Sequence, residues 1–199
     1  MELIGLIIVS LTAIVAASAY RIRSLTQLNH IKSTMIAELK IDELLSEVIN
    51  TTCIDRALLC KLHNGGAQIM VGSEKRLSVI IEPENSLEPR TKKQYQNFEV
   101  DKPYIEIMLA MLEDRRFAYN ETKDLSPSAL ERKAKADGLT AILHANGKPS
   151  STGLYFFFLA TTGEASVLLG DYKDHAKLET FISRLRSELA NAIRKKLLK

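Results

Sequence analysis

The sequence predicts an α+β fold, an antiparallel sheet flanked by helices and carried behind an N-terminal transmembrane helix and a helical stalk. Three observations predict it. Leu3 to Tyr20 holds no charged side chain and runs directly into Arg21 and Arg23. Apolar residues recur at threes and fours over 22–50 and again near the C-terminus, the spacing of amphipathic helices. Between these helices lie short apolar runs bounded by Asn-Gly, Pro and Gly, as in strands joined by turns. The predicted units are an anchor over 1–22, a stalk and first domain helix over 23–50, and one domain over 51–199.

At ~1.5 Å rise per residue, the 18 residues from Leu3 to Tyr20 span ~27 Å as a helix, enough for a thin or untilted bilayer core. The rival reading is a cleaved secretory signal, because Ala17-Ser18-Ala19 has the small-x-small form of a cleavage site. Met1-Glu2 supplies no basic n-region and the apolar run exceeds an ordinary h-region, which favours an uncleaved anchor. Arg21, Arg23 and Lys32 follow the span and no basic side chain precedes it. The positive-inside rule then puts the large domain in the cytoplasm, on a single-pass protein of the inner (cytoplasmic) membrane. If residues 1–19 are a cleaved signal, the domain is secreted or periplasmic instead.

Hydrophobic residues make up 46% of the chain and charged ones 26%, the composition of a folded domain rather than a disordered one. A net charge of +3, dispersed along the chain, gives no footprint for nucleic acid. Cys53 and Cys60 have no His or Cys partners at metal-ligand spacing, so no metal site is predicted. In a reducing compartment they read as small buried thiols.

The stalk helix is marked by Leu25, Leu28, Ile31, Met35, Leu39, Leu45 and Ile49, with no Gly or Pro to interrupt it. Arg56 to His63 reads as a strand ending in Asn64-Gly65-Gly66, where Asn-Gly suits the positive φ of a tight hairpin turn. Leu77 to Glu82 is a second strand, and 83–100 a polar loop with Pro83 and Pro89. Asp101 caps a helix that has Pro103 in its first turn and ends near Arg115. A short strand over Phe117 to Asn120 precedes a helix that opens at Ser126-Pro127 and closes at Gly138. Three strands follow: Leu139 to His144, Leu154 to Ala160, and Ala165 to Leu169. The middle one is almost wholly apolar, as a strand buried on both faces would be. The last helix starts near Asp174 and carries the stripe Leu178, Phe181, Ile182, Leu185, Leu189 and Ile193.

Few residues bear chemistry. His63, Asn64, Gly65 and Gly66 form the sharpest motif: a histidine near its titration range beside glycines that admit a ligand to backbone amides, or else a turn with a flanking histidine. His144, before Asn146-Gly147, repeats the arrangement. Asp101 and Tyr104 open the middle helix, either as pocket residues or as cap and core. Tyr155, in the run with Phe156, Phe157 and Phe158, lines a pocket or fills the sheet core. There is no Gly-x-Ser-x-Gly, phosphate loop or His-Glu-x-x-His, so no enzyme activity is predicted.

The element order resembles the GAF domain of the wider PAS/GAF sensor group. The resemblance rests on RALLCKLHNGG, on ALERKAKADGLTAILHA, and on the closing EASVLLGDYKDHAKLETFISRLRSELANAI. It covers about residues 35–199 and extends to small membrane-anchored GAF-like proteins, some phage-encoded, with a strand end like Ala57 to Gly66. The chain lacks the Asn-Lys-Phe-Asp-Glu motif of the cyclic-nucleotide binders and a cysteine placed to hold a bilin, so the resemblance implies a cup-shaped pocket and names no ligand or cofactor. It also implies pairing through end helices, here a homodimer using Leu178, Phe181, Leu185 and Leu189. Two functions are expected. One is a non-catalytic membrane-anchored domain that binds a small molecule or a partner protein. The other is a scaffold whose pocket is filled by side chains and which localises a partner at the membrane.

Overall fold

The computed structural model describes residues 2–52, 54–64, 75–86, 95–114, 118–121, 133, 136–145, 149–150, 153–163, 175–195 and 197–198; for 2–10, 110–114, 118–121, 145, 149–150 and 175–178 it describes the backbone alone. Helix α1 runs unbroken from Glu2 to Thr51, so predicted anchor and stalk are one helix. Its last turns pack on the sheet through Ile41, Leu44, Leu45 and Val48, all buried. Residues 11–33 are exposed on every side. Among the described residues no helix is long and apolar enough to cross a membrane. The side chains of Leu3 to Ser10, nearly half of the predicted span, lie outside the described residues.

The sheet has the order β3-β2-β1-β7-β5-β4, with β6 pairing β7 off this path. Its strands are β1 (Arg56–His63), β2 (Arg76–Ile81), β3 (Phe98–Glu99), β4 (Ala118–Glu121), β5 (Ala141–Ala145), β6 (Pro149–Ser150) and β7 (Gly153–Thr161). Every pairing is antiparallel. Strands β1 and β7 pair along most of their length, from Arg56 with Ala160 to Leu62 with Leu154. The predicted tight turn at Asn64-Gly65 is not a two-residue hairpin. His63 pairs with Arg76, so the connection is the whole segment 64–75, of which Gly65 and Gly66 lie outside the described residues. The predicted strand at Ala165 to Leu169 and the opening of the Ser126-Pro127 helix also lie outside them.

Strand β7 is buried along its whole length, as its apolar sequence requires. Because side chains alternate across a strand, Tyr155, Phe157 and Leu159 join one apolar cluster and Phe156, Phe158 and Ala160 another. The first cluster lies against α1 and the C-terminal helix α3 (His175–Arg194), which contributes Phe181, Ile182, Leu185 and Leu189. The stripe expected to pair with a second copy is therefore occupied within the chain, with Leu185 and Leu189 fully buried; Leu178 is not described beyond its backbone. Two surface ion pairs, Lys40–Glu188 at 2.7 Å and Arg184–Glu47 at 3.1 Å, bridge α1 to α3 along this packing.

The second cluster lies against helix α2 (Lys102–Asp114), through Tyr104 and Met108, and against Tyr95, Val100 and Leu139. Asp101 caps α2 by accepting the Tyr104 backbone N–H at 3.3 Å. Gly138 ends the preceding helical turn with φ of 69°, the left-handed conformation that favours glycine there.

Candidate functional site

The α2 face of the sheet holds buried polar atoms that stand out among the described residues. His144, on β5, shares its face with Ile142 and is fully buried. Its ring meets three aromatic side chains edge to face: Tyr104 at 5.5 Å between centroids, Phe158 at 5.5 Å and Phe156 at 5.8 Å. Among the described residues neither imidazole nitrogen has a hydrogen-bond partner, and neither has the Tyr104 hydroxyl. A buried polar group left unpaired costs about 1–3 kcal/mol, so three such atoms within one layer mark it as the candidate site.

Burial dominates the electrostatics around this pair. Burial disfavours the imidazolium and lowers the His144 pKa to about 3. Burial, reinforced by Cys60 and Tyr95, holds the Tyr104 phenol well above its ordinary range. Burial and the nearby Glu82 carboxylate push the Cys60 thiol up. At neutral pH all three are uncharged. A thiol held protonated is a poor nucleophile. What the arrangement offers is hydrogen bonding: neutral imidazole has one donor and one acceptor nitrogen, and the phenol adds a hydroxyl that serves as either.

Beside this pair stands a group that sequence reasoning missed. Arg56 opens β1 with its side chain fully buried, and its guanidinium donates to Asp137 Oδ2 at 3.0 Å. Tyr95 donates its hydroxyl to the same oxygen at 3.2 Å, and Lys133 lies over the Tyr95 ring at 4.6 Å. A signal was present in the sequence. In RALLCKLH, Arg56 has the parity of Leu58 and Cys60, and a charge directed inward from a buried strand needs a buried partner.

The other candidate residues that are described do not join the His144–Tyr104 pair. His63 lies on β1, bonded through Nε2 to Ser78 Oγ at 2.8 Å, and its pKa is lowered by burial and by Lys61 and Arg76. Asn64 accepts from Lys75 Nζ at 3.1 Å. Tyr155 belongs to the opposite face, in the cluster against α1 and α3, with Lys61 over its ring at 5.3 Å. Asp101 serves as the α2 cap. No group of three or more His, Cys, Asp or Glu side chains able to hold a metal occurs among the described residues.

No family model matches the sequence, and no curated protein matches it. Solved structures do match the fold. The chain is similar to a GAF domain/HD domain protein from Geobacter sulfurreducens with a TM-score of 0.55 at 11% identity, over 84% of this chain and 99% of that one. It is also similar to the GAF domain of a two-component sensor histidine kinase from Bacillus halodurans, with a TM-score of 0.49 at 14% identity, over 76% of this chain and 92% of that one. The fold is therefore GAF-like.

Proposed function

We propose that this chain is a non-catalytic, membrane-anchored sensing module that takes up a small molecule between its sheet and α2. The observation that carries this reading is the set of three buried polar atoms on His144 and Tyr104 that find no partner among the described residues. A ligand able to bond them would recover the cost of leaving them unpaired, which gives it affinity at a place already shaped by aromatic rings. Fold likeness to GAF domains agrees with a binding role. The anchor rests on the uncharged run Leu3 to Tyr20. Arg21 and Arg23 after the span set the domain on the cytoplasmic side.

One observation favours a second reading. Tyr104, Phe156 and Phe158 already surround the His144 ring, as in a pocket filled by its own side chains, and a scaffold that localises a partner at the membrane needs no more. Native mass spectrometry of the full chain, released from detergent, separates the two. A reproducible bound mass that disappears in His144→Leu supports the sensor. A chain that is always empty, and whose His144→Leu variant is indistinguishable from it, supports the scaffold. Alkaline carbonate extraction of membranes tests the anchor, which requires the chain to stay in the pellet.

A further inference from the structure

Where α1 leaves the domain it forms one wall of a groove whose other wall is the end of β2. Met35 and Leu39 from α1 and Ile80 and Ile81 from β2 line it with apolar surface, and Glu38, Asp42 and Glu82 stand among them; the groove holds about 370 Å³. It opens onto more apolar surface. At about 100° per residue, Leu25, Leu28 and Ile31 fall on the same half of α1 as Met35 and Leu39. All five are more than half exposed. From Leu25 to Leu39 this strip is ~21 Å long at ~1.5 Å per residue. An exposed apolar strip of this length marks a docking surface. Its spacing of threes and fours is that of a helix face, which a second helix matches by ridges and grooves.

We propose that this groove docks a basic amphipathic helix of another protein. Charge selects the occupant. The charged neighbours acting on Asp42 are Glu84 and Glu43, both negative, and together with partial burial they raise its pKa. By contrast Glu47, on the α3 side of the same helix, is bridged to Arg184. A lysine or arginine entering the groove would relieve the repulsion around Asp42 while its neighbouring apolar side chains cover Met35 and Leu39. In a parallel pairing a second copy of this chain would bring its own Glu38 and Asp42 to the level of the same groove, and like charges close across an interface are penalised. An acidic helix meets the same penalty from the carboxylates.

The test uses the full chain in nanodiscs of phosphatidylcholine, which carries no net charge to attract a basic peptide. Two fluorescent helical peptides of ~14 residues share one leucine face and carry either lysines or glutamates on the other. Fluorescence anisotropy is expected to show the lysine peptide bound at least tenfold more tightly, with that preference lost in the double variant Glu38→Lys, Asp42→Lys. Leu39→Ser, an exposed position outside the core, is expected to weaken the lysine peptide several-fold. Equal affinity for the two peptides, no binding of either, or full affinity in the double variant overturns the proposal. So does efficient self-crosslinking of a Met35→Cys chain, which makes a second copy the occupant.

Discussion

His144 and Tyr104 meet edge to face at 5.5 Å between ring centroids, and within the described chain neither finds a partner for its polar atoms. They come from elements far apart in sequence, β5 and α2, and meet because β5 lies between β4 and β7 on the face that α2 covers. Leaving these atoms unpaired lowers the stability of the fold, which makes the pair open to direct measurement.

Replacing His144 by leucine removes two unpaired nitrogens from an apolar layer. Exchanging a buried unsatisfied group for an apolar one of similar size is neutral or stabilising, by up to about 1–3 kcal/mol. The urea midpoint of the full chain in detergent at pH 7.5 is expected to rise or hold in His144→Leu. A drop of several kcal/mol would mean the imidazole is bonded in solution and the pair is ordinary structure.

The same histidine predicts the response to acid. Its folded pKa is about 3, below the unperturbed value of about 6.5. Between those values the unfolded chain binds a proton that the folded chain refuses. Stability contributed by neutral His144 is therefore complete above about pH 6.5 and falls as pH is lowered toward 3, by at most about 1.4 kcal/mol per unit. His63 is shifted in the same direction and its contribution has the same sign. Urea midpoints at pH 7.5 and 5 are expected to differ more for the parent chain than for His144→Leu. Equal differences would remove His144 as the source.

How far the sequence could anticipate this site depends on which interactions are local. The apolar run Leu154 to Ala160 announces a strand buried on both faces, and β7 is one. Asp101 and Pro103 announce the start of α2 within a residue. His63 and His144 look alike in sequence, each next to an Asn-Gly signal, yet one bonds Ser78 on the neighbouring strand and the other is fully buried. What separates them is the long-range order of the strands, which no local period encodes. The stripe on α3 poses the same problem: its spacing shows that Phe181, Leu185 and Leu189 are covered, but not whether by this chain or a copy of it.

Leu185 decides that question by experiment. It is fully buried among residues of α1, α3 and the sheet. Leu185→Ala is expected to cost about 2–5 kcal/mol through lost burial and a residual cavity. The loss would register as a lower urea midpoint at every protein concentration. A midpoint loss that disappears at high concentration, with the parent chain dimeric by light scattering, would put Leu185 in an interface between copies instead.

The Arg56–Asp137 pair makes the sharpest prediction about stability, because its two ends are buried unequally. The Arg56 side chain is wholly buried and that of Asp137 is 11% exposed, with Tyr95 donating to the same carboxylate oxygen. Removing the carboxylate in Asp137→Ala takes from the wholly buried Arg56 guanidinium its anionic partner and is expected to cost about 3–5 kcal/mol. Removing the guanidinium in Arg56→Met leaves the carboxylate the Tyr95 hydroxyl and some access to water, so its cost is expected to be smaller. Removing both ends leaves no buried guanidinium without its carboxylate, so the double variant should be more stable than Asp137→Ala alone. Urea midpoints of the three variants check this order. If the double variant instead loses the sum of the two single losses, Arg56 and Asp137 act on stability independently, and the buried pair is not a coupled unit.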